Sequence, residues 1–362
     1  MKKILLTAIL SSLSLTASAQ EDLYVSGFEA WAQELSAMGD EISSHSAKAY
    51  VSDVNSELKK QGYIGNELPL PKATKVMDGV YTIVGSQIWH NPSNFGLNNN
   101  ITFIIFKEGV FVFNAGANPA VAYSVHQQIK RITDKPVKWL AVENNQGHAY
   151  LGASYWVDVG VKNLYSSTQA NDIFDRAYER ELEEWGTRVS HLLMHSARNV
   201  TDKFTTFDGK MTVDVGGGET FELIDFGPGH TPASTSVYIP SHNVFLSGDL
   251  AFNERMPVMF NYTNSHDWME SYENMMQVIP ADAKAIPGHG TATDMATIKK
   301  QTYDYFRYLQ KEIKKIVEAE GTVEQAEEVD QSMYEDRPVF DQAAKNNARR
   351  IFNEINNGFG MF

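Results

Sequence analysis

The sequence contains no cysteine. No disulfide can staple the fold, and no thiolate can bind a metal or attack a substrate. Stability must come from a buried core, which 362 residues with 43% hydrophobic content can supply as one large domain or two average ones. Positive charge is also in short supply, because 31 Lys and Arg face 45 Asp and Glu and leave a formal charge of −14. A surface of that sign repels phosphate backbones and argues against nucleic acid as a partner. Beyond the first twenty residues there is no long apolar run, so no membrane span is expected.

The short apolar run that does exist lies at residues 4–15. It follows Lys2-Lys3 and precedes Ala17-Ser18-Ala19. That order is the pattern of a secretory signal peptide cleaved after an A-x-A site. Residues 1–19 are therefore expected to be removed, and the protein to be secreted. The short, Lys-headed signal suits bacterial export to the periplasm.

The pattern along the chain suggests three further segments. Residues 20–75 read as an N-terminal helical extension. Phe28, Trp31, Leu35 and Met38 recur at helical spacing, and so do Val51, Val54 and Leu58, until Gly62, Gly65, Pro69 and Pro71 interrupt. Residues 76–294 alternate strand and helix. Strands are expected at 80–84, 101–106, 110–113, 137–142, 211–215, 220–226, 236–239, 244–247 and 285–286. Helices are expected at 120–132, 172–194 and 268–278. Strand-rich halves of this kind suit a layered α/β fold. Residues 295–362 read as a C-terminal helical segment. The terminal helices could pack on the body, cover a cleft or mediate a homo-oligomer.

Ten histidines are present, and most need no special role. Three segments stand out instead: Gly229-His230-Thr231, Ser247-Gly248-Asp249 and Pro287-Gly288-His289-Gly290. Each puts one ligand-type side chain at an expected strand end, beside a glycine that permits a tight turn. His148 follows a fourth strand, with Glu143, Asn145 and Gly147 just before it. Four such residues converging at strand ends point to a metal site.

In this order and setting, the region from about Val76 to Thr291 resembles the metallo-β-lactamase-fold hydrolases. Gly229-His230-Thr231-Pro232 matches the family's lone His, Leu246-Ser247-Gly248-Asp249 its later Asp, and Pro287-Gly288-His289-Gly290 its final His. Thr133-Asp134-Lys135-Pro136-Val137 resembles the entry to the strand before the leading H-x-H-x-D-H motif. That motif reads Glu143-Asn144-Asn145-Gln146-Gly147-His148 here, and only His148 is retained. Asn114 stands where the family usually has an Asp before a Gly.

The resemblance implies a four-layer αββα sandwich of two mixed sheets, with N- and C-terminal helical extensions. It implies a metal held by His148, His230, Asp249 and His289, with one zinc ion preferred over two and iron as the other candidate. It implies a hydrolase that cleaves an ester, lactone, lactam or similar bond of a small molecule with metal-activated water. Gly147 cannot orient that water as the family Asp does, so Glu143 becomes the candidate catalytic base. Asn145 becomes the candidate substrate-binding donor. A mononuclear iron redox enzyme and a non-catalytic binding protein that reuses the cleft are the competing expectations.

Overall fold

The computed structural model describes residues 67–358. The expected signal peptide and the helical stripe over residues 21–62 lie outside the described residues.

The first sheet is built from seven strands in sequential order. These are β1 (Thr74–Met77), β2 (Val80–Ile83), β3 (Ile101–Ile105), β4 (Val110–Phe113), β5 (Val137–Ala141), β6 (Asn163–Ser167) and β7 (Phe204–Phe207). Neighbours are antiparallel from β1 to β4 and parallel from β4 to β7. Each parallel step carries helix in its connection, as a parallel crossover requires. Between β4 and β5 lies α1 (Pro119–Ile132). Between β5 and β6 lie α2 (Gly147–Tyr150) and α3 (Ala153–Asp158). Between β6 and β7 lie α4 (Thr168–Arg188) and α5 (His191–Met194).

The second sheet holds β8 (Lys210–Gly216), β9 (Glu219–Ile224), β10 (Ser236–Ile239), β11 (Val244–Phe252), β12 (Lys284–His289) and β13 (Thr293–Asp294). Its spatial order is β13-β12-β11-β10-β9-β8, and only β11 and β12 run parallel. The helix α6 (Ser265–Val278) joins β11 to β12. After β13 come α7 (Met295–Ile298), a π-helical turn at Lys299–Tyr303, α8 (Asp304–Glu318), α9 (Val323–Glu327) and α10 (Phe340–Asn357).

Strand β4 shows how the layers arise. Val110 and Val112 pack under the helices of the first sheet, while Phe111 and Phe113 enter the core between the sheets. Both faces of the strand are apolar because both are covered. On the far side, Trp268 and Met275 of α6, Leu309 and Ile313 of α8, and Ile351 of α10 bury the second sheet. The result is the helix–sheet–sheet–helix sandwich that the resemblance implied.

Several boundaries differ from the sequence reading. The helix expected over residues 172–194 starts earlier, where Ser167 caps it by accepting from Ala170 N–H, and breaks between α4 and α5. Strands β6 and β7 were not expected, because Asn-Leu-Tyr-Ser-Ser and Phe-Thr-Thr-Phe are short and half polar. Among the described residues no helix is long and apolar enough to cross a membrane.

The C-terminal helices belong to the same core as the second sheet. Ile351 of α10 is fully buried among them. Ile351→Ala is expected to lower the unfolding free energy by about 2–5 kcal/mol in a denaturant titration. An unchanged midpoint would mean that α10 lies outside the cooperative unit.

Candidate metal centre

The strand ends of both sheets meet at one edge. Glu143 lies two residues beyond β5 and is fixed from several sides. Its N–H donates to Asn114 Oδ1 at 3.1 Å, and its Oε1 accepts from Asn99 Nδ2 at 2.9 Å. Asn114 takes a left-handed backbone, φ 77°, just past β4, and donates in turn to Asn100 O at 3.0 Å. The chain then crosses to the other sheet, where Asn144 forms a bridge with Ser234. Asn144 Nδ2 donates to Asp249 Oδ2 at 3.1 Å. One turn later, on α2, His148 Nε2 lies 3.0 Å from Glu143 Oε1 and 3.7 Å from Asp249 Oδ2.

Asp249 does not end its strand, as the sequence suggested. It lies inside β11, where the ladder to β12 shifts register after Leu246, with Gly248 opposite Pro287 and Phe252 opposite His289. The bulge turns a side chain out of the regular pleat. Gly288 is required beside it, because a Cβ there would stand 2.3 Å from Asp249 Oδ1. His289, the last residue of β12, has Nε2 3.2 Å from the same oxygen. That contact lacks hydrogen-bond alignment, and Asp249 Oδ1 is buried without a donor.

His230 comes from the loop between β9 and β10. Its Nδ1 lies 2.9 Å from Val258 O, and a carbonyl can only accept, so Nδ1 carries the proton. The lone pair is then on Nε2, which lies 3.9 Å from Asp249 Oδ2. A backbone acceptor behind an imidazole is the usual way a metal-binding tautomer is fixed.

The electrostatics follow from burial. Glu143, His148, His230, Asp249 and His289 are all nearly inaccessible. Burial and the neighbouring Asp249 charge raise the Glu143 pKa. Burial alone would lower that of His148. The Glu143 hydrogen bond and the Asp249 charge outweigh it, and the net shift is upward. Burial would likewise raise Asp249, but the surrounding histidines hold it below the usual carboxylate range. Burial depresses His230 to about 4 and, with help from Arg255, His289 to about 3. These two imidazoles are therefore neutral near pH 7 and offer lone pairs.

The donor set fits one divalent ion. Glu143, His148 and Asp249 each bring a ligand atom within 4.8 Å of the others. Glu143 Oε2 and Asp249 Oδ1 are buried with no hydrogen-bond partner, which is costly unless a cation or donor meets them. A second ion fits less well. Arg255 Nη1 lies 2.8 Å from Nδ1 and 2.9 Å from Nε2 of His289, so a buried guanidinium lies against this imidazole and sets positive charge where a second ion would bind.

The structure thus gathers Glu143, His148 and Asp249 around one point, while His230 and His289, expected as ligands, each approach a different oxygen of Asp249 and stand outside that group. Asn145 is set apart from them, in the wall of an adjoining cavity of about 460 Å³. That cavity opens on His148 and has Trp89, His90, Trp185, Phe260 and Tyr262 around it. Sequence reasoning missed Arg255, Asn99 and Asn144. The asparagine runs at 98–100 and 144–145 were the available signal for two of them. A single Arg between loop residues gives none.

Gly147 has a physical explanation. A Cβ at this position would lie 2.3 Å from Trp185 Nε1 and 2.6 Å from Trp185 Cε2. Trp185 is buried on α4, stacks on His90 at 3.9 Å and meets His148 edge-on at 6.2 Å. The indole therefore fills the space that a side chain at 147 would need. Gly147→Ala is expected to cost about 1–3 kcal/mol through overpacking. Thermal melts should show the loss, and Trp185→Leu in the same chain should recover part of it. A Gly147→Ala protein that melts like the parent would contradict the packing argument.

Comparison with known proteins bears on the fold. Residues 148–303 match the family model described as the Metallo-beta-lactamase superfamily, and the match begins at His148, directly after the segment 143–147. Among solved structures, the fold is similar to that of a metallo-β-lactamase from Pontibacter korlensis, with a TM-score of 0.51 and 17% identity over 65% of this chain and 98% of that one. It is also similar to TMB-1, with a TM-score of 0.51 and 17% identity over 65% and 97% of the two chains. The DIM-1 metallo-β-lactamase exposed to ceftazidime gives a TM-score of 0.52 and 17% identity over 67% and 99%. Residues 148–303 thus match the metallo-β-lactamase superfamily, and the chain has the fold of the metallo-β-lactamases.

Proposed function

We propose that the protein is an exported, metal-dependent hydrolase with a one-ion site. On this reading it cleaves an ester, lactone, lactam or similar bond of a small molecule. The observation that carries the reading is the buried group of Glu143, His148 and Asp249, in which Glu143 Oε1 and Asp249 Oδ2 lie 3.0 and 3.7 Å from His148 Nε2. Two carboxylates in one dry pocket call for positive charge. Zinc suits this set, and so does iron.

Glu143, His148 and Asp249 would hold the ion, and His230 Nε2, which accepts from Gln146 Nε2 at 3.4 Å, lies 3.9 Å from Asp249 Oδ2. The ion would supply Lewis acidity and make water a usable nucleophile near neutral pH. Asn99 and His148 engage Oε1 of Glu143, which leaves Oε2 as the atom available to accept a proton. Burial and the Asp249 charge shift the Glu143 pKa upward, the direction that strengthens a base. Asn145, in the cavity wall, would hydrogen-bond a substrate carbonyl, with Trp89, Trp185, Phe260 and Tyr262 offering apolar surface beside it. Arg255 supplies fixed positive charge on the His289 side.

A panel of esters, lactones and lactams should reveal hydrolysis that a chelator removes and added metal restores. Asp249→Ala and His148→Ala should each lower kcat/KM by at least about 100-fold. Glu143→Gln should lower kcat more than it changes KM. Turnover that survives both chelation and Asp249→Ala would overturn the proposal. Tight small-molecule binding with no turnover would favour a binding protein.

A further inference from the structure

We infer that Asn347, on the C-terminal helix α10, is a positioning residue for the substrate-facing loop 257–263. The loop has no regular secondary structure beyond turns, so its backbone polar groups need partners from elsewhere. The helix supplies them. Asn347 is fully buried, its Oδ1 accepts from Met259 N–H at 2.9 Å, and its Nδ2 donates to Pro257 O at 2.8 Å. The same Nδ2 reaches Tyr305 Oη on α8 at 3.0 Å. Asn346 Nδ2 donates to Met259 O at 2.8 Å, and Arg350 Nη2 donates to Asn261 O at 2.8 Å. Three side chains on about one turn of helix thus fasten the near side of the loop.

The far side of the loop forms the site. Val258 O accepts the Nδ1–H of His230, and Thr263 Oγ1 donates to His230 O at 2.9 Å. The Phe260 ring lies 5.0 Å from that of His230 and 6.1 Å from that of Trp89. Phe260, Asn261 and Tyr262 line the cavity, and Gln146 Nε2 donates to Tyr262 Oη at 3.2 Å. The tautomer of His230 and one wall of the cavity are therefore set by a backbone that α10 holds. The helix lies beyond residues 148–303, the part of the chain that matches the superfamily.

Asn347 is the strictest member of the clamp, because it donates and accepts across one residue pair. A carboxylate of the same shape has no donor and would face Pro257 O with its charge. The word substrate here rests on the proposed hydrolase reading, but the clamp can be tested without a substrate.

The experiment compares Asn347→Asp and Asn347→Ala with Ile351→Ala in the full chain. Ile351→Ala weakens the same helix while leaving the side-chain hydrogen bonds of Asn346, Asn347 and Arg350 to the loop in place. Amide exchange over residues 257–263 and the ¹⁵N spectrum of the His230 imidazole are recorded under folded conditions. In both Asn347 variants, exchange in the loop should rise by at least about tenfold, and the single Nδ1–H tautomer of His230 should be lost. Where a substrate is turned over, KM should rise more than kcat falls. Ile351→Ala should lower global stability, keep the Nδ1–H tautomer of His230, and raise loop exchange less than either Asn347 variant does at matched global stability. Equal changes in Ile351→Ala, or Asn347 variants that alter only global stability, would overturn the inference. A parent protein without hydrolytic activity would sink the function reading, while the exchange and imidazole signals would still decide the clamp.

Discussion

The structure depends on placing two carboxylates, Glu143 and Asp249, in one pocket closed to water. An isolated buried carboxylate is strongly disfavoured unless it is paired and hydrogen-bonded. Much of the surrounding polar architecture meets that requirement. Asn99 holds one oxygen of Glu143, and Asn144 holds one of Asp249. His148 lies against both acids, and the guanidinium of Arg255 sits behind His289. Glu143 Oε1 and Asp249 Oδ2 meet at His148 Nε2, and that meeting point marks where a cation belongs. The sandwich makes the meeting possible, because β5 ends in one sheet while β11 and β12 carry Asp249 and His289 in the other.

The site reads as rebuilt rather than merely eroded. Glycine at 147 leaves room for Trp185, and Trp185 closes the pocket beside His148 and His90. Arg255 engages the imidazole that a second ion would use. The loop that fixes His230 is held by a helix outside the superfamily match. Each feature is a packing or hydrogen-bond relation between residues distant in sequence. Together they turn a shared fold toward a particular pocket.

Much of this was legible in the sequence, for identifiable reasons. Val110–Phe113 announced itself because every residue is apolar, and the structure covers both faces. His148, His230 and His289 stood out because glycine lies beside each or within its turn. Asp249 was legible as a ligand type but misplaced as a strand end, since a bulge in β11 cannot be seen in local composition. The strands Asn163–Ser167 and Phe204–Phe207 were missed because pairing, not propensity, makes them strands. Arg255 and Asn347 gave no signal. A lone Arg or a helical Asn usually faces solvent, and only tertiary contact shows these two to be buried.

The central claim is that the two buried carboxylates and His148 form a seat for one cation. Metal analysis of the intact protein by native mass spectrometry tests it most directly. The account predicts one tightly held divalent ion per chain, absent in Asp249→Asn with the fold intact. Two equivalents, or no ion bound even after incubation with excess zinc or iron, would contradict it.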